Sequence, residues 1–310
     1  MRPRWTDGAQ LRPNPSGSSS LLAALTGVLA ISFSAILVRA AHTEASVSAF
    51  ARCAYALPLL ALLARRDAVL NSRARTFALG AGIFLAIDLL LWHLSIPRIG
   101  AGISTVFSNV QVLAVVAVSV ARGATVRRLT LIGVPIAFVG ITLIGKLGSG
   151  HALDELGLVL ALLTGVSYAG FLLLFDRSIE QSGGLVISPL LFATLASAVL
   201  WAAFAVATGA DLMPPLHAQL WLITLALSSQ VLGWLMLARG FRGLGAVAVS
   251  VLLLLQPVLT LVWGRALYGE HLDLLQGVGV VMTLAGVTLA RQPRTTEKGA
   301  TPTERAAPTG

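Results

Sequence analysis

From about residue 20 to residue 290 the chain alternates long apolar runs with short polar stretches. Each run holds about 18 to 22 residues, and at about 1.5 Å per residue that length crosses a hydrocarbon core roughly 30 Å thick. The pattern predicts ten helical spans, at 21–38, 46–64, 76–95, 100–120, 128–145, 155–175, 186–208, 217–238, 243–263 and 272–290. Short connections leave no room for a soluble domain of useful size, so any function must sit inside the bundle. Residues 1–20 and 292–310 are polar and rich in Pro, Gly, Ser, Thr and Arg, and read as disordered ends.

Composition agrees: 56% of residues are hydrophobic and 11% charged, against roughly 25% charged in soluble domains. A net charge of +9 would otherwise suggest a nucleic-acid partner, but the basic residues fall in alternate loops. Arg65, Arg66, Arg73, Arg75, Arg122, Arg127, Arg128, Arg177, Arg239 and Arg242 share one side with the arginine-bearing termini. The other side receives only Arg39, Arg98, Lys146 and Arg265. By the positive-inside rule both termini are cytoplasmic, as an even number of spans requires. The first apolar run is longer than a signal-peptide core and leads into further spans, which argues against cleavage. The lone Cys53 excludes an intramolecular disulfide.

A repeat lies within this pattern. GAGISTVFSNVQVLAVV from Gly100 aligns with GAVAVSVLLLLQPVLTL from Gly245 at an offset of 145, setting Gln111 on Gln256 and Val112 on Pro257. The next spans echo each other as GVPIAFVGITL from Gly133 and GVGVVMTLAGVTL from Gly277. Five spans per unit is an odd number, so the second copy enters the membrane in the opposite direction. The expected fold is an all-α membrane protein of ten transmembrane helices in two inverted five-helix repeats, 21–146 and 147–291, with substrate held near the midplane between them.

With its ten spans, its five-plus-five repeat, AFARCAYALPLLALL in span 2, DLLLWHLSI in span 3 and LLLLQPVLTLVWGRALYGE in span 9, the chain resembles the EamA-type branch of the drug/metabolite transporter superfamily over about residues 20–290. Family members commonly carry Pro in both spans 4 and 9 and Glu where Gln256 stands; here Val112 fills the first Pro position and only Pro257 remains. The resemblance implies a secondary transporter of the cell inner membrane, exporting amino acids or related small metabolites, with the lipid bilayer as its other partner, as monomer or homodimer. It implies no cofactor and no metal.

Charged side chains in mid-span cost about 2.5 to 3.5 kcal/mol on insertion scales, so each asks for a reason. Asp88 shares a face of span 3 with Trp92 and Ser95; it either lines a cavity, binding an amine or carrying a proton, or pairs with a buried base such as Arg52 or His93. His93 serves proton coupling or an interfacial hydrogen bond, and Trp92 a substrate contact or an interfacial anchor. Arg52 either attracts a carboxylate, snorkels to the external interface, or pairs with Glu44 or Asp88. The amides Asn109, Gln111, Gln230 and Gln256 can hold a zwitterion without fixing a net charge, or bond helix to helix. Ser34, Ser104, Ser108 and Tyr168 are weaker candidates, and Trp234 reads as a pocket wall on the face of Gln230, or as core.

Pro257 predicts a loosened span 9 at the central pocket, and its absence at Val112 predicts mechanically unequal halves. Gly133 and Gly140, and Gly279 and Gly286, line one face each of spans 5 and 10, which pack on each other or at a dimer contact. Glu270 and Asp273 suit the start of span 10.

A multidrug or nucleotide-sugar permease of the same superfamily is the competing transporter reading, although nucleotide sugars would want several midplane cations and only Arg52 approaches that. No Walker motif is present, so ATP does not drive the chain directly. An intramembrane serine hydrolase is the reading from another class; GVSYAG at Gly165–Gly170 lacks the required Gly-x-Ser-x-Gly spacing and no His lies at the midplane.

Overall fold

The computed structural model describes residues 17–99, 101–123, 126–144, 154–269 and 273–290. These form α1 (Gly17–Ser32), α2 (Ser34–Ala41), α3 (Ala45–Ala54), α4 (Leu57–Ala64), α5 (Ser72–Ile99), α6 (Ala101–Ser108) and α7 (Gln111–Ala121). They continue as α8 (Arg128–Ile144), α9 (Glu155–Gln181), α10 (Ile187–Thr208), α11 (Leu216–Leu225), a π-helical segment Ala226–Gly233, α12 (Trp234–Leu253), α13 (Leu255–Tyr268) and α14 (Leu274–Ala290). No strand occurs among the described residues. Most of the expected disordered ends, together with Lys146 and Glu270, lies outside them. Gly17–Ser20, placed in the N-terminal tail by composition, instead forms the first turn of α1.

Seven helical stretches are long and apolar enough to cross a membrane: Gly17–Ala41, Ala45–Ala64, Ser72–Ile99, Ser104–Ala121, Glu155–Gln181, Ile187–Thr208 and Leu216–Leu253; Arg128–Ile144 and Leu274–Ala290 are shorter apolar helices. The exterior is greasy, with Leu22, Val199, Val206 and Val281 each more than half exposed. The interior instead collects small and polar side chains such as Ala24, Ala81, Ser95, Thr194, Ser197 and Gln230. Lipid supplies no hydrophobic drive for helices to associate, so close backbone approach and hydrogen bonds do this work.

The glycines show where. A Cβ on Gly140 would lie 2.5 Å from Thr283 N and 2.6 Å from Gly279 O, and one on Gly133 would lie 2.5 Å from Gly286 O. The glycine seam therefore joins α8 to α14 within one chain, leaving the alternative of a dimer contact unneeded. Gly27 likewise admits the π segment and α12, where a Cβ would lie 2.8 Å from Gly233 O and 2.9 Å from Leu237 N. Along α5 and α9, Ser178 Oγ donates to Ala74 O at 2.8 Å at one end and Arg98 meets Asp154 at 3.3 Å at the other, so the two run antiparallel for their full length.

Several helices are interrupted near their middles. The α1–α2 joint falls at Phe33, beside Ser32, whose hydroxyl back-bonds to Leu29 O at 2.7 Å and competes with the ladder. The α3–α4 joint at Tyr55–Ala56 precedes Pro58, and the α12–α13 joint at Leu254 precedes Pro257; each proline removes a backbone donor. The first half has a joint at the matching place, at Asn109–Val110 between α6 and α7. This joint needs no proline, because the Asn109 amide splits its N–H between Thr105 O (3.2 Å) and Val106 O (3.1 Å) while its side chain takes Thr105 O at 2.8 Å.

Spans 8 and 9 run together as helical residues from Leu216 to Leu253, divided at Gly245, where φ 78° and ψ 173° suit glycine alone. The Asp176 carboxylate of α9 accepts from Ala246 N at 3.2 Å, so the amide after this break is not left unpaired. Asp67 does the same for α10, taking Ser188 N and Ser188 Oγ at 3.0 Å each.

Asp154 caps α9, accepting from Gly157 N at 2.6 Å. Asp154→Ala is expected to cost about 1 kcal/mol through the lost cap. Its contact with Arg98 adds little, because the two side chains are 42% and 41% exposed. Thermal unfolding of the purified protein in detergent checks this.

Candidate functional site

Arg52 sits on α3, whose sequence ASVSAFARCA is small enough to sink between neighbouring helices. Its Nε donates to Gln230 Oε1 at 2.9 Å, and Gln230 Nε2 donates to Thr194 Oγ1 at 3.0 Å. One chain of bonds thus links α3, the π segment and α10. Gln230 is 1% exposed and both ends of its amide are used. The π turn, a geometry frequent at functional sites, carries it into this position. Of the five N–H donors of a guanidinium, Nε alone is committed to another side chain among the described residues.

Asp88 of α5 is 8% exposed and makes no hydrogen bond or ion pair among the described residues. It lies within electrostatic reach of Arg52 and of Tyr168 on α9. The cation and the acid therefore face a common interior without closing on each other, and a ligand with opposite charges at its two ends can complete both. Tyr168 stacks on Phe171 at 6.1 Å and brings a phenol to the same region.

The other candidates divide into groups. Ser34 donates to Ser229 Oγ of the π segment at 2.8 Å. Gln111 is fully buried on α7, its Nε2 bonded to Ser250 O at 3.2 Å and its Oε1 without a partner. Asn109 is turned to its own helix at the α6–α7 joint, and Gln256 is half-buried in the first turn of α13 beside Pro257.

Trp234 parts company with Gln230. Its ring lies edge-on to Phe171 at 4.6 Å and Phe175 at 6.1 Å in an aromatic core. Of the two readings of Trp234, pocket wall or core, these contacts favour core.

His93 and Trp92 lie toward the far end of α5, with His93 Nδ1 bonded to Leu89 O at 2.7 Å and its ring edge-on to Trp92 at 5.2 Å. Ser95 and Ser104 are hydrogen-bonded to each other between α5 and α6. A second knot forms at the α1–α2 joint. There Trp263 Nε1 donates to Ser32 Oγ at 2.9 Å, Thr260 Oγ1 donates to Ser32 O at 3.3 Å, and Phe33 stacks on Trp263 at 4.1 Å.

Sequence reasoning missed Thr194 and Ser229, since one hydroxyl in an apolar helix carries no signal of its own. It offered Glu44 or Asp88 among the partners for Arg52 and did not see the hydrogen bond to Gln230. No group of three or more His, Cys, Asp or Glu that could hold a metal forms among the described residues.

Residues 155–292 match the EamA-like transporter family. No curated protein matches the sequence. Among solved structures 28 chains match. One, titled only "Crystal structure of protein", superposes with a TM-score of 0.72 at 16% identity over 88% of this chain and 96% of that one, a likeness of fold. The EamA-like family is one of transporters and not of enzymes. This multi-pass membrane protein, helical throughout its described elements, is similar to EamA-like transporters over residues 155–292.

Proposed function

We propose that the chain is a secondary transporter that exports amino acids or related small metabolites across the inner membrane by alternating access. The observation that carries this is the nearness of Arg52, held by Gln230 and Thr194, to a buried Asp88 that makes no hydrogen bond or ion pair among the described residues. A guanidinium suits a carboxylate and an acid suits an ammonium, which together describe a zwitterion. Tyr168, Ser34, Gln111 and Gln256 are its proposed polar neighbours, with Trp92, His93 and Asn109 toward the ends or joints of the helices. Pro257 is proposed to loosen the helix beside Gln256.

Ten membrane crossings, with both termini on one side, follow if Gly245 ends one span and begins the next, and the arginines in alternate loops favour the cytoplasmic side. A straight helix of 38 residues would reach about 57 Å, nearly twice the hydrocarbon core. Two inverted repeats, 21–146 and 147–291, are supported by three features. The joint at Asn109–Val110 falls, at the offset of 145, on the joint at Leu254. The seam pairs Gly133 with Gly286 and Gly140 with Gly279, an arrangement that a two-fold axis maps onto itself. Finally, α5 lies along α9 as α12 lies along α1, which is the same pairing with the halves exchanged.

Counterflow of labelled amino acids in proteoliposomes, with and without a pH gradient, tests the reading. Saturable flux of at least one is expected, reduced about tenfold or more by Asp88→Asn through loss of a charged contact. Absence of flux for every amino acid tried would remove the substrate class. Unchanged flux and pH response in Asp88→Asn would make Asp88 structural.

A further inference from the structure

A second recess lies apart from the Arg52 cluster. It occupies about 240 Å³ between the start of α3, the far part of α5 and the latter half of α10, and its walls include Glu44, His93, Trp201 and Phe204. Glu44 stands eight residues before Arg52 and His93 five residues after Asp88, so the recess is displaced along the helices by roughly 8 to 12 Å from the central charges.

Three of its polar groups have an atom without a partner among the described residues. Trp201 is 3% exposed, and its indole N–H has no partner. A buried donor left this way is costly unless something supplies an acceptor. His93 spends Nδ1 on Leu89 O, a carbonyl that can only accept. Nδ1 therefore carries a proton, and in the neutral ring Nε2 is then an open acceptor. Glu44 precedes α3 as its cap residue yet makes no side-chain cap bond, and its carboxylate has no other partner among the described residues. The rings of His93 and Phe204 stand edge-on to Trp201 at 6.2 and 5.5 Å, giving the recess an aromatic wall.

One donor, two acceptors and aromatic faces specify a complementary ligand. It needs an ammonium to meet Glu44 and His93 Nε2 and lie against the rings, with an oxygen acceptor a few bonds away for the Trp201 N–H. We infer that this recess is a binding site for a small ammonium compound carrying a nearby oxyanion, distinct from the central cluster. That chemistry belongs both to the phosphoethanolamine headgroup of a membrane lipid and to a free amino acid. The inference does not depend on the transport reading.

The full-length protein is reconstituted into nanodiscs of phosphatidylcholine alone, and binding is titrated with phosphoethanolamine and, separately, with L-alanine. Saturable binding of at least one probe is expected, weakened roughly tenfold or more by Trp201→Phe, which keeps a ring and removes the N–H, and by Glu44→Gln. Glu44 is exposed, so its variant folds even if the Trp201 variant does not. A lipid source predicts that phosphatidylethanolamine co-purifies with the wild type, is depleted in both variants and competes with phosphoethanolamine when added to the nanodiscs. A solute source predicts alanine binding that the lipid leaves unchanged. No saturable binding of either probe, or equal binding by wild type and Glu44→Gln, overturns the inference.

Discussion

Arg52→Gln is expected to abolish substrate flux in proteoliposomes, by about a hundredfold or more. The change removes the one cation in the cluster, strands Gln230 Oε1 without its donor, and leaves Asp88 facing the interior without a compensating charge. Removing one member of a buried charged set costs about 3 to 5 kcal/mol when the partners are in direct contact. Arg52 and Asp88 do not close into an ion pair, so a loss nearer 2 kcal/mol is expected. The double variant Arg52→Gln with Asp88→Asn separates structure from function. It should regain thermal stability, because the orphan charge is gone, and should not regain flux. If Arg52→Gln transports normally, the cluster is a structural pair and the site lies elsewhere.

The second large effect concerns the seam between α8 and α14. Gly140→Leu should lower stability by at least about 3 kcal/mol, because a Cβ there meets Thr283 N and Gly279 O, which are backbone atoms that move only if the helices part. Gly277→Ala in the same helix pair is the control: nothing lies within 4 Å of its Cβ. That change should be neutral or stabilise by up to about 1 kcal/mol through helix propensity. Unfolding midpoints of the two variants, measured in the same detergent, decide the matter. Equal midpoints would mean that the seam contributes nothing to the fold.

How much of this was legible in the chain depends on the kind of signal. Apolar runs reported helices because lipid demands length, and the glycine spacing in residues 133–140 and 279–286 reported a close contact without saying with what. Asp88 and Gln230 stood out because polar groups are rare in such helices. Arg52 was visible too, but its partner was not, since the π turn that delivers Gln230 to it leaves no mark in ALSSQVLG. The joint at Asn109–Val110 was invisible to a search for prolines, because an asparagine folding back on Thr105 O opens the helix by competition instead of by a missing donor.

The joints near the middles of α1–α2, α3–α4, α6–α7 and α12–α13 bear on how such a bundle moves. A rod that is stiff along its length transmits a tilt at one end directly to the other. A rod jointed at mid-height lets its upper and lower halves swing separately. Cross-ties then decide which halves travel together: Trp263 and Thr260 bind α13 to the Ser32–Phe33 joint, so a swing of one carries the other. The proposed alternating access asks for such joints, because they would let the helices part on one face of the membrane while the opposite face stays shut.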